Sequence, residues 1–551
     1  MIKAWFKSGS PWIWMTAGAV GINLLLVIGL LLLIAVRGLG HFWVTDVFEY
    51  HYEEHEGSLT RVIGEQVGES LLSAAEAREA GYEVPDGAEY VQKFLKKTGN
   101  RDILGSDFRW LKAQHIKQRA SPVDLVVIER REWGNFYGRL LSVKDSGNVI
   151  AEGAQAWQVA QDKLADVLVQ HDKIERLQSR EVGAINHALD RLRLRQRALE
   201  LRNQWNDEKR QAFELARQDH QKAYEIIQRD IAALNVEMKR FSLVVQESGG
   251  RQISLPMHRV VKLTQPNAMN LLDKSIDYVR NFVSFVSDNP REANTEGGIF
   301  PAIFGTVLMV FLMSIVVTPF GVVAAVYLRE YARQGFVTRI IRISVNNLAG
   351  VPSIVYGVFG LGFFVYIIGG GIDRVFYPEA APAPVFGTPG LLWASLTLAL
   401  LTLPVVIVAT EEGLSRIPKS IREGSLALGA TKAETLWRTV LPMASPAIMT
   451  GLILAIARAA GEVAPLMLVG VVKLAPTLPL DGNFPYLHLD RKFMHMGFHI
   501  YDVGFQSPNV EAARPLVYAT SFLLVLVIVG LNMFAISIRN NLREKYRALE
   551  N

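Results

Sequence analysis

Cysteine is absent from the 551 residues, which excludes disulfides, thiolate metal sites and a cysteine nucleophile and leaves the redox compartment undetermined. No G-x-x-x-x-G-K-[S/T] loop is present to cradle a nucleotide phosphate, and neither an H-E-x-x-H zinc helix nor a G-x-S-x-G nucleophile elbow occurs. The chain therefore has no ATP motor of its own and no catalytic or metal site that a motif identifies. Its histidines, among them His41, His51, His55, His488, His495 and His499, lack ligand-like spacing and read as ordinary surface or interfacial residues. A large charge imbalance is also missing: 58 Lys and Arg face 53 Asp and Glu, a net +5. The small basic surplus sits mainly in short loops beside apolar runs, as membrane orientation requires, so no nucleic-acid partner is implied.

Long apolar runs are what the chain has in quantity. Half of its residues are hydrophobic, and they concentrate in Trp12–Val36, Ile299–Leu328, Val345–Gly369, Thr388–Thr410, Pro446–Val472 and Leu516–Ile538. Each is long enough to cross a hydrocarbon core of about 30 Å. The first run exceeds the apolar core of a signal peptide, about 7 to 15 residues, and no small-x-small cleavage site is evident, so it reads as an uncleaved anchor. Lys3 and Lys7, then Arg329, Arg333, Arg339 and Arg342, then Arg416, Lys419, Arg422, Lys432 and Arg438, and finally Arg539, Arg543, Lys545 and Arg547 mark one side of the membrane. The loops between them are poorer in such residues, which predicts cytoplasmic termini and an external segment from 37 to 298. The fold class expected is a mainly α polytopic membrane protein with six transmembrane helices and a large extracytoplasmic α+β domain. The predicted division is an N-terminus of 1–11, a first span of 12–36, the external domain of 37–298, a five-helix body of 299–540 and a tail of 541–551.

Within the external segment, VDLVVI and GRLLSV between Pro122 and Ile150, followed by Asp145-Ser146-Gly147-Asn148, predict short strands and a turn. A further strand pair is expected over Ile253–Leu263, broken at Pro256. Ala154–Glu247 lacks proline and is rich in Gln, Arg, Glu, Ala and Leu, a helical composition. Trp157, Leu164, Val167 and Ile174, then Ile185, Leu189 and Leu192, recur at near-heptad spacing and predict an antiparallel coiled-coil hairpin. Such an arm would serve as a passive spacer, as an oligomerisation arm, or to position a substrate-binding partner.

The loop over residues 418–442 carries the most information. Its pattern predicts a helix over Lys419–Leu428, a stop at Gly429 and a restart at Thr431, where Thr431-x-x-Glu434 makes a capping box. Glu423, Gly424 and Ser425 would project from the first helix, with small residues that admit another protein's groove, and Pro442 would end the second. Arg458 and Glu462 stand four apart inside the fifth run. Charge at that depth faces protein or water and marks either a structural pair or an anion path.

The loop resembles the EAA motif of ABC importer permeases, E-A-A-x-x-x-G-x9-I-x-L-P, with Glu423-Gly424-Ser425, Gly429 and Thr439-Val440-Leu441-Pro442 at the motif positions. Two alanines are replaced by Gly and Ser, and the isoleucine by Thr. GGIFPAIFGT from Gly297, AGVPSIVYGVFGLGFFV from Ala349, AIARAAGEVAPL from Ala455 and HIYDVGFQSPN from His499 resemble the PstA family of phosphate-transport permeases over residues 297–540. That resemblance implies a type I ABC importer in the bacterial inner membrane. A PstC-like second permease, a PstB-like ATPase dimer holding ATP and Mg, and a PstS-like periplasmic binding protein would be its partners, and no cofactor would reside in this chain. It also implies an ATPase-coupling loop containing Arg422, Glu423, Gly424, Ser425, Gly429, Leu441 and Pro442, and bears on phosphate passage at Arg458 and Glu462. A permease for another oxyanion, a membrane sensor with a helical external domain and a secondary transporter are the alternatives.

Overall fold

The computed structural model describes residues 8–54, 58–79, 89–507 and 510–546, so Lys3, Lys7, His55 and Arg547 lie outside the described residues. Among these, six helices are long and apolar enough to cross a membrane. The first, α1 (Ser10–Gly40), starts at a proline in its first turn, where the missing N–H costs nothing. It touches the rest of the chain at Gly38, where a Cβ would sit 2.8 Å from the Tyr518 carbonyl oxygen. Ile34, Ala35 and Leu39 are half-buried near that contact, and most of the remaining apolar surface of the helix is exposed.

Two antiparallel sheets follow. One has the order β4-β3-β2-β1-β5, from β1 (Val47–Glu53), β2 (Leu59–Ser73), β3 (Tyr90–Lys97), β4 (Phe108–Lys112) and β5 (Ile116–Ala120). The second comprises β6 (Leu125–Arg130), β7 (Phe136–Asp145) and β8 (Asn148–Glu152), joined after the helical arm by β9 (Phe241–Gln246), β10 (Gln252–Pro256) and β11 (Val260–Thr264). The β7–β8 hairpin turns through Ser146 and Gly147 at φ of 51° and 91°. That positive pair is what a tight hairpin turn needs. The expected strand pair around Pro256 is not a pair: β10 joins β9 while β11 joins β6. Pro256 and the short turn Met257–Arg259 carry the chain from one flank of the sheet to the other.

Between β8 and β9 run α2 (Ala154–Arg176), α3 (Gly183–Leu201) and α4 (Asp207–Met238). A π-helical turn, Leu177–Val182, joins the first two without a break, and Asn206 caps α4 by accepting from the Lys209 N–H. The helical hairpin is present, with α4 running back along α3 and the end of α2, but the seam of α2 faces a different partner. Leu164, Val167 and Ile174 of α2 pack with Ala156 and Ala160 into the core of the second sheet, beside Leu243, Val245 and Met257. The heptad-like spacing therefore serves a helix on a sheet, and only Ile185, Ile231 and Met238 are buried on the two later helices. Residues 241–246, expected within the arm, are strand β9. Helix α3 lies over loops of the membrane body: His187 meets the His488 ring at 6.1 Å, and Arg191 sits over the Phe484 ring at 5.7 Å.

An amphipathic helix, α5 (Leu271–Ser287), leads into the membrane body. Asn270 and Asp273 form a reciprocal capping box at its start. The body contains α6 (Phe300–Val326), α7 (Phe336–Leu348), α8 (Ser353–Phe376), α9 (Leu391–Arg416), α10 (Lys419–Ala427), α11 (Lys432–Gly461), α12 (Leu466–Val469), α13 (Met496–Tyr501) and α14 (Val510–Tyr546). Central α9 is the most buried span and packs between α6 and α11. Small residues permit the approach: a Cβ on Gly321, Gly413 or Gly451 would meet Val406, Ala447 or Ala409 at 2.4 to 2.7 Å. Lipid gives helices no hydrophobic reason to associate, so close backbone packing of this kind supplies the cohesion. The third span starts at Ser353, after Pro352. Val345–Leu348, read as its beginning, end the amphipathic α7 instead.

Candidate functional site

Alternation of the spans puts the loop 417–431 at the end of the body remote from the two sheets. The sequence dictates its shape. Helix α10 ends with Leu428 as C-cap, and Gly429 turns the chain at φ +88°, a conformation that side chains disfavour. Thr431 then caps α11, accepting from the Glu434 N–H while the Glu434 carboxylate receives the Thr431 N–H at 2.9 Å. Ser425 and Thr435 share a hydroxyl hydrogen bond of 2.9 Å that closes the corner. Arg422 donates to Glu330 at 2.9 Å and to the carbonyls of Ile417 and Leu414 at 2.7 Å. Glu423 and Gly424 face outward, and a Cβ on Gly424 would meet nothing within 4 Å. Leu428 is 91% exposed and Trp437 76%. Glycine at 424 thus answers no packing need within the chain, and two large apolar side chains beside it lack cover.

Pro442 does not end the second loop helix. Helix α11 runs without interruption from Lys432 to Gly461. The π-helical turn Leu436–Val440, in which the Leu441 N–H reaches back five residues to Leu436, takes up the distortion just before the proline that cannot donate.

Arg458 and Glu462 do pair, with Nε to Oε1 at 3.5 Å, but not on one continuous helix. Helix α11 stops at Gly461, and Glu462 is extended at φ −80°, ψ 130°. The reason lies three residues on. Pro465 lacks the N–H that would continue the ladder and disfavours helical backbone at Ala464. Arg458 occupies the last turn of α11, where a cation also suits the helix dipole. A half-buried guanidinium thus sits at the end of a broken helix beside irregular backbone, an arrangement that membrane proteins tolerate where the backbone is enclosed by protein or lines a cavity.

A third cluster went unrecognised in the sequence. His488, His495 and His499 are buried rather than superficial. Burial pushes both His495 and His499 down to about 4 and keeps them neutral. His495 Nδ1 accepts from the Gly497 N–H to cap α13. Nearby Asp502, also buried, pairs with Lys473 at 3.1 Å and accepts from Asn294 at 3.3 Å. These residues fasten the approach to α6 to the segment before α14. The string HIYDVGFQSPN contains His499 and Asp502 but gives no sign of their burial.

Six membrane-length helices, tightly packed around α9, with an exposed helical corner at one end make the chain a polytopic membrane protein, and its likenesses to known proteins give the class. Residues 317–548 match the family described as "Binding-protein-dependent transport system inner membrane component". The chain is 35% identical over 245 residues to the "Phosphate transport system permease protein PstA" of Mycobacterium leprae, covering 44% of this chain and 71% of that one. It is 32% identical over 252 residues to the protein of the same name from Yersinia pestis, covering 46% and 75%. It is also 29% identical over 285 residues to a "Probable phosphate transport system permease protein PstA" of Methanocaldococcus jannaschii, covering 51% and 85%. The chain belongs to this family of membrane permeases.

Proposed function

We propose that the chain is one pore half of an ATP-driven phosphate importer of the bacterial inner membrane, with both termini cytoplasmic and the two sheets and helical arm in the periplasm. The observation that carries this reading is the corner at Gly424 and Leu428, whose glycine and exposed leucine are explained by a partner's groove and by nothing inside the chain. That partner is an ATPase dimer, since the chain has no nucleotide loop of its own. A homologous second permease completes the pore, and a periplasmic binding protein delivers the anion. Arg422, Glu423, Gly424, Ser425, Gly429, Leu441 and Pro442 form the coupling segment. Arg458 gives the passing anion a transient cationic contact, and Glu462 keeps that contact weak enough for release. Phosphate is the substrate named for the relatives, which is what favours it over another oxyanion. Uptake by vesicles containing the full assembly, with phosphate competed by sulfate, arsenate and phosphonates, tests the reading. Competition by sulfate as strong as by phosphate would overturn the choice of substrate.

A further inference from the structure

A cleft of about 480 Å³ lies where α1, the first sheet and α5 meet, bordered by Trp43, Asp46, Phe48, Gln66, Arg119 and Lys274. Strand register builds its floor. Gln66 lies opposite Lys96 and Tyr50 opposite Arg119, while Phe48 shares the face of Tyr50 two residues away. Lys96 is only 1% exposed, yet its ammonium has no carboxylate within salt-bridge distance among the described residues. It donates to Tyr50 Oη at 2.7 Å and Gln66 Oε1 at 2.8 Å, and it sits 4.3 Å from the Tyr50 ring centroid. Burial and the charge of Arg119 push it down to about 8. Arg119 has no carboxylate within salt-bridge distance among the described residues either, and it rests on the Phe48 ring at 3.7 Å. Lys274 alone is matched, by Asp46. Arg119 and Lys274 thus line the cleft with Asp46 as its one lining carboxylate, while Lys96 is buried behind Gln66 without a counter-ion among the described residues, and burying such a charge is costly.

Position suggests which anion this cleft suits. Trp43 stands three residues past the end of α1, where aromatic side chains mark a membrane interface. Helix α5 is fastened there: Phe42 packs on Phe282 and Phe285, with ring centroids at 5.3 and 5.1 Å, and Asn281 donates to the Phe42 carbonyl. Its opposite side exposes Leu272, Ile276, Val279 and Val283 in a single stripe. Seventeen residues are too few to span a bilayer, but a helix with such a stripe lies well in the interfacial plane. We propose that this cleft binds the phosphate group of an anionic phospholipid, held by Arg119 and Lys274 with Lys96 behind Gln66, while the apolar stripe of α5 rests in the same leaflet. Free phosphate offers the same chemistry without the acyl chains, and the stripe favours the lipid.

The test purifies the full chain from native membrane, measures the anionic phospholipid retained per chain, and places a photo-crosslinker at Ile276. Wild type should retain such a lipid and give lipid adducts at Ile276. Arg119→Gln, an exposed change that leaves the sheet intact, should reduce retention about ten-fold, as loss of a charge-assisted contact implies. Lys96→Met should do the same without altering the crosslink. Unchanged retention in both variants, protein rather than lipid adducts at Ile276, or saturation of the cleft by inorganic phosphate with no lipid retained would each overturn the proposal.

Discussion

The Arg422 guanidinium reaches out of the corner loop to the Glu330 carboxylate at 2.9 Å, and the backbone carbonyl of that same Glu330 accepts from Lys432. Both arms of the corner are thereby tied to the π-helical turn Tyr327–Tyr331 that continues α6, so a push on the loop moves two spans together. Both side chains of the pair are largely buried. Glu330→Gln should therefore cost about 1.5 to 3 kcal/mol, the range for hydrogen bonds to charged groups. It should lower phosphate uptake more than it lowers ATP hydrolysis by the assembled complex. Equal loss of both activities would show that the pair serves assembly rather than transmission.

Gly424 and Gly429 separate docking from backbone need. Gly429→Val forces a β-branched residue to φ +88° and should destabilise the corner by about 2 kcal/mol, with uptake falling in proportion to lost protein. Gly424→Trp projects into open space and should leave thermal stability unchanged while the ATPase no longer co-purifies. A Gly424→Trp chain that retains its ATPase and transports normally would contradict the docking assignment.

What could be read in the sequence followed the range of each interaction. The capping box at Thr431 and Glu434 and the glycine stop are encoded within one or two turns, the six spans in contiguous apolar runs, and all are present in the structure. The first sheet was missed although Phe48, Tyr50 and Tyr52 alternate with Glu49, His51 and Glu53 along β1, which is itself a strand signal; the run is only seven residues long, and the burial departs from the alternation, with Glu49 buried and Phe48 half-buried. The seam of α2 carried a correct period but an undetermined partner, since a helix packs its stripe against a sheet as readily as against another helix. The break before Glu462 had a visible cause in Pro465, hidden by the long apolar run around it.

Glu296, four residues before α6, has an ionisation that couples the stability of the chain to pH. Burial raises its carboxyl to about 7, with Glu129 and Glu292 adding to the shift and Lys97 and Arg291 opposing it. Between pH 4.5 and about 7 the folded state holds a proton that the unfolded state releases, so stability is full below 4.5 and is lost as pH rises through 7. The gap corresponds to roughly 3 kcal/mol at most. Glu296→Gln should raise the melting temperature at pH 8 and flatten its dependence between pH 5 and 7. Thermal melts of both proteins across that range decide it.

The helical arm should be trimmed rather than removed. Deleting all of 154–247 would strip Ala156, Leu164 and Val167 from the core of the second sheet and unfold the domain. Replacing residues 186–229 by a short glycine-serine linker spares that core while removing the contact of His187 with His488. If the arm guides the binding protein by raising its local concentration, uptake should fall at limiting phosphate and recover when the binding protein is in excess. Uptake unchanged at every concentration would make the arm a spacer.

Arg458 offers the sharpest test of the anion path. It sits in the last turn of α11, and Glu462, 3.5 Å away, lies just beyond the helix end. The pair is therefore not a rigid rung on one helical face, because the carboxylate is carried by backbone that can shift without unwinding α11. On the proposed reading the pair opens as an anion passes and closes behind it. Arg458→Lys keeps the charge but loses the planar fork that meets phosphate with two donors. It should bind phosphate more weakly, with a raised apparent KM and partial uptake. Arg458→Gln leaves no cation and should reduce uptake by at least about ten-fold, the effect of losing one charge-assisted contact. Glu462→Gln frees the guanidinium and should slow release, lowering the maximal rate while apparent affinity rises. A purely structural pair predicts a different pattern, in which all three variants lose assembled complex in parallel and the complexes that remain transport at the wild-type rate. Uptake normalised to assembled complex separates the two, and a wild-type rate in Arg458→Gln would remove this residue from the pathway.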